Sequence, residues 1–150
     1  MRSLVSFSAC LLLFSCALIA QDPSKPNFTG TWQLDPAKSE LNTSHASGAT
    51  WVIEEKDNSI HITEMESAKG DRKIELKCTT DGKECNVPSE KAKASFWYNG
   101  PMLVEMETKG DNATRYRLKL MDAGKSLNVE VTYIVPQTEK SDKLVFSKQP

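Results

Sequence analysis

Lys73-Ile74-Glu75-Leu76-Lys77-Cys78 alternates charged and apolar side chains without a break; Thr79-Thr80-Asp81-Gly82 interrupts it, and Lys83-Glu84-Cys85-Asn86-Val87 starts again. Period two sends Ile74, Leu76 and Cys78 to one face and the lysines and glutamate to the other, the pattern of a strand with one face on a core and one in water. Asp81-Gly82 is a strong hairpin-turn signal. A turn centred there places Cys78 opposite Cys85, and in an oxidising compartment the pair reads as a disulfide stapling one hairpin. A strict two-residue turn implies Cα atoms ~5.5 Å apart and a four-residue loop ~4.5 Å. Closing so short a loop contributes roughly 2 to 2.5 kcal/mol. Two buried free thiols are the alternative.

The same rhythm runs outward in both directions, with turn residues every eight to twelve positions, and yields ten candidate strands. Upstream lie Gly30 to Leu34, a strand carrying Trp51 and Ile53, and one carrying Ile60 and Ile62. Asp35-Pro36 reads as a capped helical turn, and residues 42–48 as a polar connector. Downstream, a short strand near Glu84 to Val87 ends at Pro88, and Ala92, Ala94, Phe96 and Tyr98 share the inner face of the next. Asn99-Gly100-Pro101 turns into a strand read with Met102, Val104 and Met106 inward and Glu105 and Glu107 outward. Then come Tyr116, Leu118 and Leu120, opposed by Arg115, Arg117 and Lys119, and the longest strand, with Leu127, Val129, Val131, Tyr133 and Val135 inward. Lys143 to Ser147 is last. Consecutive strands joined by short turns make an all-β, antiparallel up-and-down meander, and closing it into a barrel of eight to ten strands removes the exposed edges. A sandwich is the alternative.

Met1-Arg2, an apolar run from Leu4 to Ala20 and polar Gln21-Asp22-Pro23 read as a secretory signal, giving a signal peptide 1–20, a linker 21–29 and one barrel domain 30–150. Cleavage after Ala20 gives a secreted or periplasmic protein. The rival reading takes Leu13-Phe14-Ser15-Cys16 as a lipoprotein box, with membrane anchoring only through a lipidated Cys16. Losing residues 1–20 removes only Arg2, leaving 18 basic against 20 acidic side chains, a net charge of −2 with both signs interspersed. Nucleic acid needs a basic face, and none is visible.

Asn27-Phe28-Thr29-Gly30-Thr31-Trp32-Gln33-Leu34 resembles the opening of the calycin barrels, the lipocalins and fatty-acid-binding proteins, whose first strand carries a Gly-x-Trp with an aromatic two residues earlier. With Leu34-Asp35-Pro36-Ala37-Lys38-Ser39 and a closing Leu144-Val145-Phe146-Ser147-Lys148, the chain is similar to uncharacterised lipocalin-like secreted proteins of bacteria. The resemblance implies a calycin-like barrel with Phe28, Gly30 and Trp32 as its closing motif. Fatty-acid-binding proteins insert a helical pair after the first strand and hold a ligand carboxylate with a late Arg-x-Tyr; the polar connector and the last strand here supply neither. Lipocalins pack a late Arg over the Trp, a place only Lys143 or Lys148 can fill.

No residue set has the composition of an active site. His45 lies in the connector and His61 in a strand, neither beside an oriented nucleophile, so no enzyme activity, metal or cofactor is expected. Pairing His61 with Glu64, or with His45, gives too few ligands for a structural zinc site. The Arg115, Arg117, Lys119 row is expected to pair with Glu105 and Glu107 on the outer face. Trp97, Leu103 and Ile134 mark a candidate exposed apolar patch. Asn27-Phe28-Thr29, Asn42-Thr43-Ser44 and Asn112-Ala113-Thr114 are glycosylation sequons only in a eukaryotic source. Two functions remain. One is a carrier whose interior, Trp51, Ile53, Phe96, Tyr98, Val104, Tyr116, Val129 and Tyr133, takes a small neutral or weakly polar hydrophobic ligand. The other is an envelope interaction module or inhibitor with a filled barrel, binding a protein partner by its outer face or loops. A solidly packed interior favours the second and an open one the first.

Overall fold

Each alternating segment forms a strand, because alternation lets one face bury apolar side chains while the backbone is satisfied by its neighbours. The computed structural model describes residues 25–42, 48–66, 72–138 and 141–150. The signal segment, Cys16 and His45 lie outside them. The strands are β1 (Gly30–Leu34), β2 (Thr50–Lys56), β3 (Ser59–Glu66), β4 (Arg72–Thr79), β5 (Asp81–Val87), β6 (Ala92–Asn99), β7 (Met102–Lys109), β8 (Asn112–Met121), β9 (Ser126–Val135) and β10 (Ser141–Lys148). One-turn helices at Pro88–Glu90 and Asp122–Gly124 sit at two connections. Asp35 makes a turn rather than a helix, its carboxylate accepting from the Ala37 amide at 3.1 Å.

All ten strands form one antiparallel sheet in the order β4-β3-β2-β1-β10-β9-β8-β7-β6-β5. The last strand returns to the first, with Leu34 opposite Phe146. The two sheet ends, β4 and β5, lie side by side, so the sheet curls into a nearly closed barrel. No β4–β5 ladder forms among the described residues. The Cys78–Cys85 disulfide spans that seam with Cα atoms 5.4 Å apart. The hairpin turn expected at Asp81-Gly82 is therefore corrected: the chain bends at Thr80, and both residues lie within β5. The Asp81 carboxylate accepts from the Thr79 hydroxyl at 2.6 Å and the Lys83 amide at 3.2 Å, a local turn that replaces ladder bonds.

The end of the barrel where β1 begins, called here the lower end, is packed shut. Phe28 and Trp32 are both fully buried, and the Trp32 indole donates to the Phe28 carbonyl at 3.0 Å. Glu55 accepts from the Phe28 amide at 2.6 Å and from the Tyr98 hydroxyl, tying the incoming chain to β2 and β6. Lys148 is the late cation over the Trp, its Nζ 5.2 Å from the ring centroid. Gly30 is needed for that approach, since a Cβ there would lie 2.6 Å from Lys148 Cε. Above this plug come Ile53, Ile60, Ile62, Leu76, Phe96, Leu103, Leu118, Leu127 and Phe146, each 2% exposed or less. This half is a filled core.

One strand is turned over relative to expectation. In β7, Leu103, Glu105 and Glu107 point inward, opposite Tyr98, Phe96 and Ala94 of β6 and Leu118, Tyr116 and Thr114 of β8. The cause is the two-residue Gly100-Pro101 turn, which pairs Asn99 with Met102 and so fixes the register. Val104, expected inside, pairs on the outer face with Trp97 and Arg117 and is outside the core cluster, yet it is buried there, at 3% exposure. Leu103 is wholly buried, which dissolves the Trp97, Leu103, Ile134 patch. The basic row of β8 cannot reach Glu105 or Glu107, and Arg117 instead pairs with Glu130 of β9 at 3.4 Å. Val135, expected inward, is exposed.

Candidate functional site

Inverting β7 puts carboxyl groups inside the barrel. Glu105 and Glu107 of β7 face the interior in its upper half, and Glu64 of β3 does so too, between Trp51 and Ile74 in the ladders. Tyr116 follows Glu105 across the β7–β8 ladder, and Tyr133 follows Thr114 across the next. Glu105 is 3% exposed. Glu64, Glu107, Tyr116 and Tyr133 also point inward yet keep part of their surface open to water. The upper interior thus carries carboxyl and hydroxyl groups on residues that are mostly only partly buried, unlike the fully buried lower half. Trp51, Ile53, Phe96 and Val129 form the buried wall between the halves, Trp51 packing on Phe146 with ring centroids 4.8 Å apart. Tyr98, Tyr116 and Tyr133 are partly buried against the core, Tyr98 beside Phe28 at the lower end.

Among the described residues, Arg72 and Lys109 at this end are already committed. Arg72 pairs with Glu90 and, at 3.5 Å, with Glu66; Lys109 reaches Glu90 at 2.9 Å. Two hydrogen-bonded cations outweigh burial at Glu90 and hold its carboxyl below the usual range. Deeper in, the balance reverses. Burial, reinforced by the charges of Glu107 and Glu66 and opposed by Arg72, pushes Glu64 up to about 8. Burial, then Glu64 and Glu107, lift Glu105 well above the carboxylate range. Glu107 is raised by burial and Glu90, with Lys109 and Arg72 opposing. Burial and then Glu105 raise the Tyr116 hydroxyl as well. At neutral pH Glu64 therefore holds its proton and offers an O–H donor and a carbonyl acceptor, and Glu105 shifts in the same direction. Asp142 differs: it is wholly buried but accepts from the Asn42 amide and from the Tyr133 hydroxyl at 2.9 Å.

Sequence reasoning placed Trp51, Ile53, Phe96, Tyr98, Tyr116, Val129 and Tyr133 in the interior, where the fold brings them together. It missed Glu64, Glu105 and Glu107. Two signals pointed to them: the period from Ile60 through Ile62 leads to Glu64, and a two-residue Gly100-Pro101 turn sets Leu103, not Val104, beside Tyr98. His61 and Glu64, weighed as a metal pair, lie on opposite faces of β3, and His61 meets Glu54 at 3.2 Å. Among the described residues, no three His, Cys, Asp or Glu side chains are grouped to hold a metal ion.

No family model matches the chain, and no curated protein matches it in sequence. Solved structures do. A point mutant of the fluorescent protein UnaG superposes with a TM-score of 0.62 at 19% identity, over 82% of this chain and 96% of that one. The fold is a calycin-like barrel. Fatty-acid-binding protein 1 of Echinococcus granulosus matches with a TM-score of 0.60 at 13% identity, over 82% of this chain and 98% of that one. A secretory abundant heat soluble protein of Ramazzottius varieornatus gives 0.62 at 11%, over 81% and 94%. At such identities the likeness concerns the fold. This calycin-like barrel has a plugged lower end and a polar upper interior whose side chains are mostly only partly buried.

Proposed function

We propose that the protein is a carrier that binds one small, largely apolar molecule in the upper half of its barrel. The observation carrying this reading is the asymmetry of the interior: fully buried apolar side chains below, inward residues that water reaches above. A solved neighbour is a fatty-acid-binding protein, which supports a hydrophobic ligand for a barrel of this shape. Trp51, Phe96, Val129 and Tyr133 supply the apolar and aromatic wall, and Glu64, Glu105, Glu107 and Tyr116 the few polar groups that orient a ligand. Binding rather than catalysis fits them, because these carboxyls lack a nucleophile beside an oriented base.

We further propose that the chain is exported through residues 1–20 and works outside the cytoplasm, freely after cleavage at Ala20 or anchored through Cys16. Intact mass of the protein purified from its own source decides, since lipidation leaves a diacylated Cys16 as the first residue. The binding test is a fluorescence titration with the neutral probe N-phenyl-1-naphthylamine. Saturable binding of one probe per chain is expected. Thr114→Trp, which fills the interior between Glu107 and Tyr133, should abolish it. Absence of saturable binding, or a Thr114→Trp protein that binds as the parent does, would overturn the reading.

A further inference from the structure

The carrier reading leaves the polar end of the ligand unspecified, and the site's chemistry constrains it. Among the described residues no group hydrogen-bonds the Glu105 carboxyl, although Glu105 is 97% removed from solvent, and its oxygens are not sealed off from the interior space. A buried carboxyl without a partner costs free energy that a ligand donor recovers. Glu64 faces the same space from β3, across the barrel, also without a hydrogen-bonding partner among the described residues. Both neighbouring cations, Arg72 and Lys109, are held by Glu90. Among the described residues, an entering carboxylate would thus meet carboxyls, with Arg72 and Lys109 already paired.

Resting on the carrier reading, we propose that Glu105 and Glu64 bind the ammonium group of a cationic amphiphile whose apolar tail lies against the Trp51, Phe96 and Val129 wall. An ammonium brings three donors to acceptors that lack any, and its charge lets one carboxyl release its proton to solvent and form an ion pair with it. A bare metal ion is too small for the task, since the described carboxyls are not grouped to share one. The preference for cation over anion follows because a carboxylate head group would itself be a desolvated anion beside groups whose ionised forms burial already disfavours, with Arg72 and Lys109 taken by Glu90.

The test displaces N-phenyl-1-naphthylamine at pH 7 with decylamine, decanol and decanoate, each below its aggregation concentration. The three share one chain and differ only in head group. Decylamine should displace the probe at about tenfold lower concentration than decanol, a factor equal to ~1.4 kcal/mol, and decanoate should be the weakest. Glu105→Gln and Glu64→Gln, near-isosteric and neutral, should each erase most of the amine's advantage over decanol. Decanoate binding as well as decylamine, or an amine advantage intact in both variants, overturns the head-group assignment. If decanol also fails and the probe itself does not bind, the carrier reading falls with it. Equal displacement by all three removes only the ammonium site.

Discussion

Raising the pH from 5 to 8 should destabilise this protein, although most carboxylates are already ionised at pH 5. The Glu64 carboxyl titrates at about 8 in the folded barrel against an ordinary 4.5, mainly because burial disfavours its charge. The groups that face it are Glu66, Glu107, Glu90 and Arg72. Between the two values the folded chain holds a proton that the unfolded chain has lost. Stability is therefore full below the unfolded value and falls as pH climbs toward the folded one, by at most ~1.4 kcal/mol per pH unit. Over three units the ceiling is ~4 kcal/mol, and water entering the open end reduces it to about 1–3 kcal/mol. Glu105 and Glu107 shift in the same direction and add to the slope. Glu75 and Asp81 shift downward, Glu75 to about 2, so their contributions are lost only below pH 5 and stay constant across this window. At about 2–4 °C per kcal/mol for a domain of this size, Tm should fall by roughly 3–10 °C between pH 5 and pH 8. Thermal unfolding followed by circular dichroism at constant ionic strength, with the disulfide oxidised, measures it. Glu64→Gln should flatten the profile and raise Tm at pH 8. A Tm that is level or rises from pH 5 to pH 8 would refute the placement of these carboxyls inside the barrel.

Phe28→Ala removes a fully buried plug and should cost about 3–5 kcal/mol in urea unfolding; a loss under ~1 kcal/mol would mean that the segment before β1 is not part of the core. Cys85→Ser should cost roughly 2 kcal/mol and accelerate amide exchange chiefly in β4 and β5, the two strands at the seam; exchange that rises uniformly would contradict an open seam held by the bridge. Gly30→Ala should push Lys148 off Trp32, costing ~0.5–1 kcal/mol and altering tryptophan emission, whereas an unchanged spectrum would show that the lysine is not seated there.

The ten-strand meander was legible because alternation, turn residues and strand length agree at nearly every step, and neighbouring strands in sequence became neighbours in space. The Phe28, Gly30, Trp32 motif was legible for a local reason, since its contacts to Lys148 and Glu55 need only the resemblance and one late cation. The candidate site was harder. A strand of alternating Met, Leu, Val and Glu has no intrinsic inner face, and hydrophobicity favoured Val104 over Glu105. Register decided otherwise, because the Gly100-Pro101 turn couples β7 to the Phe96 and Tyr98 face of β6. A buried, unpaired glutamate breaks the rule that charges lie outside. The disulfide pairing was readable from Cys78 and Cys85, but not their geometry, since two strands at opposite ends of a sheet meet only when the barrel curls.

The claim that the upper barrel holds a small molecule is tested most directly by native mass spectrometry of protein purified from its own source without organic solvent. The account predicts a species heavier than the chain by one small molecule, released when the protein is denatured and lost from Thr114→Trp. Bare chain alone, with no mass gained when N-phenyl-1-naphthylamine or decylamine is added, would contradict it.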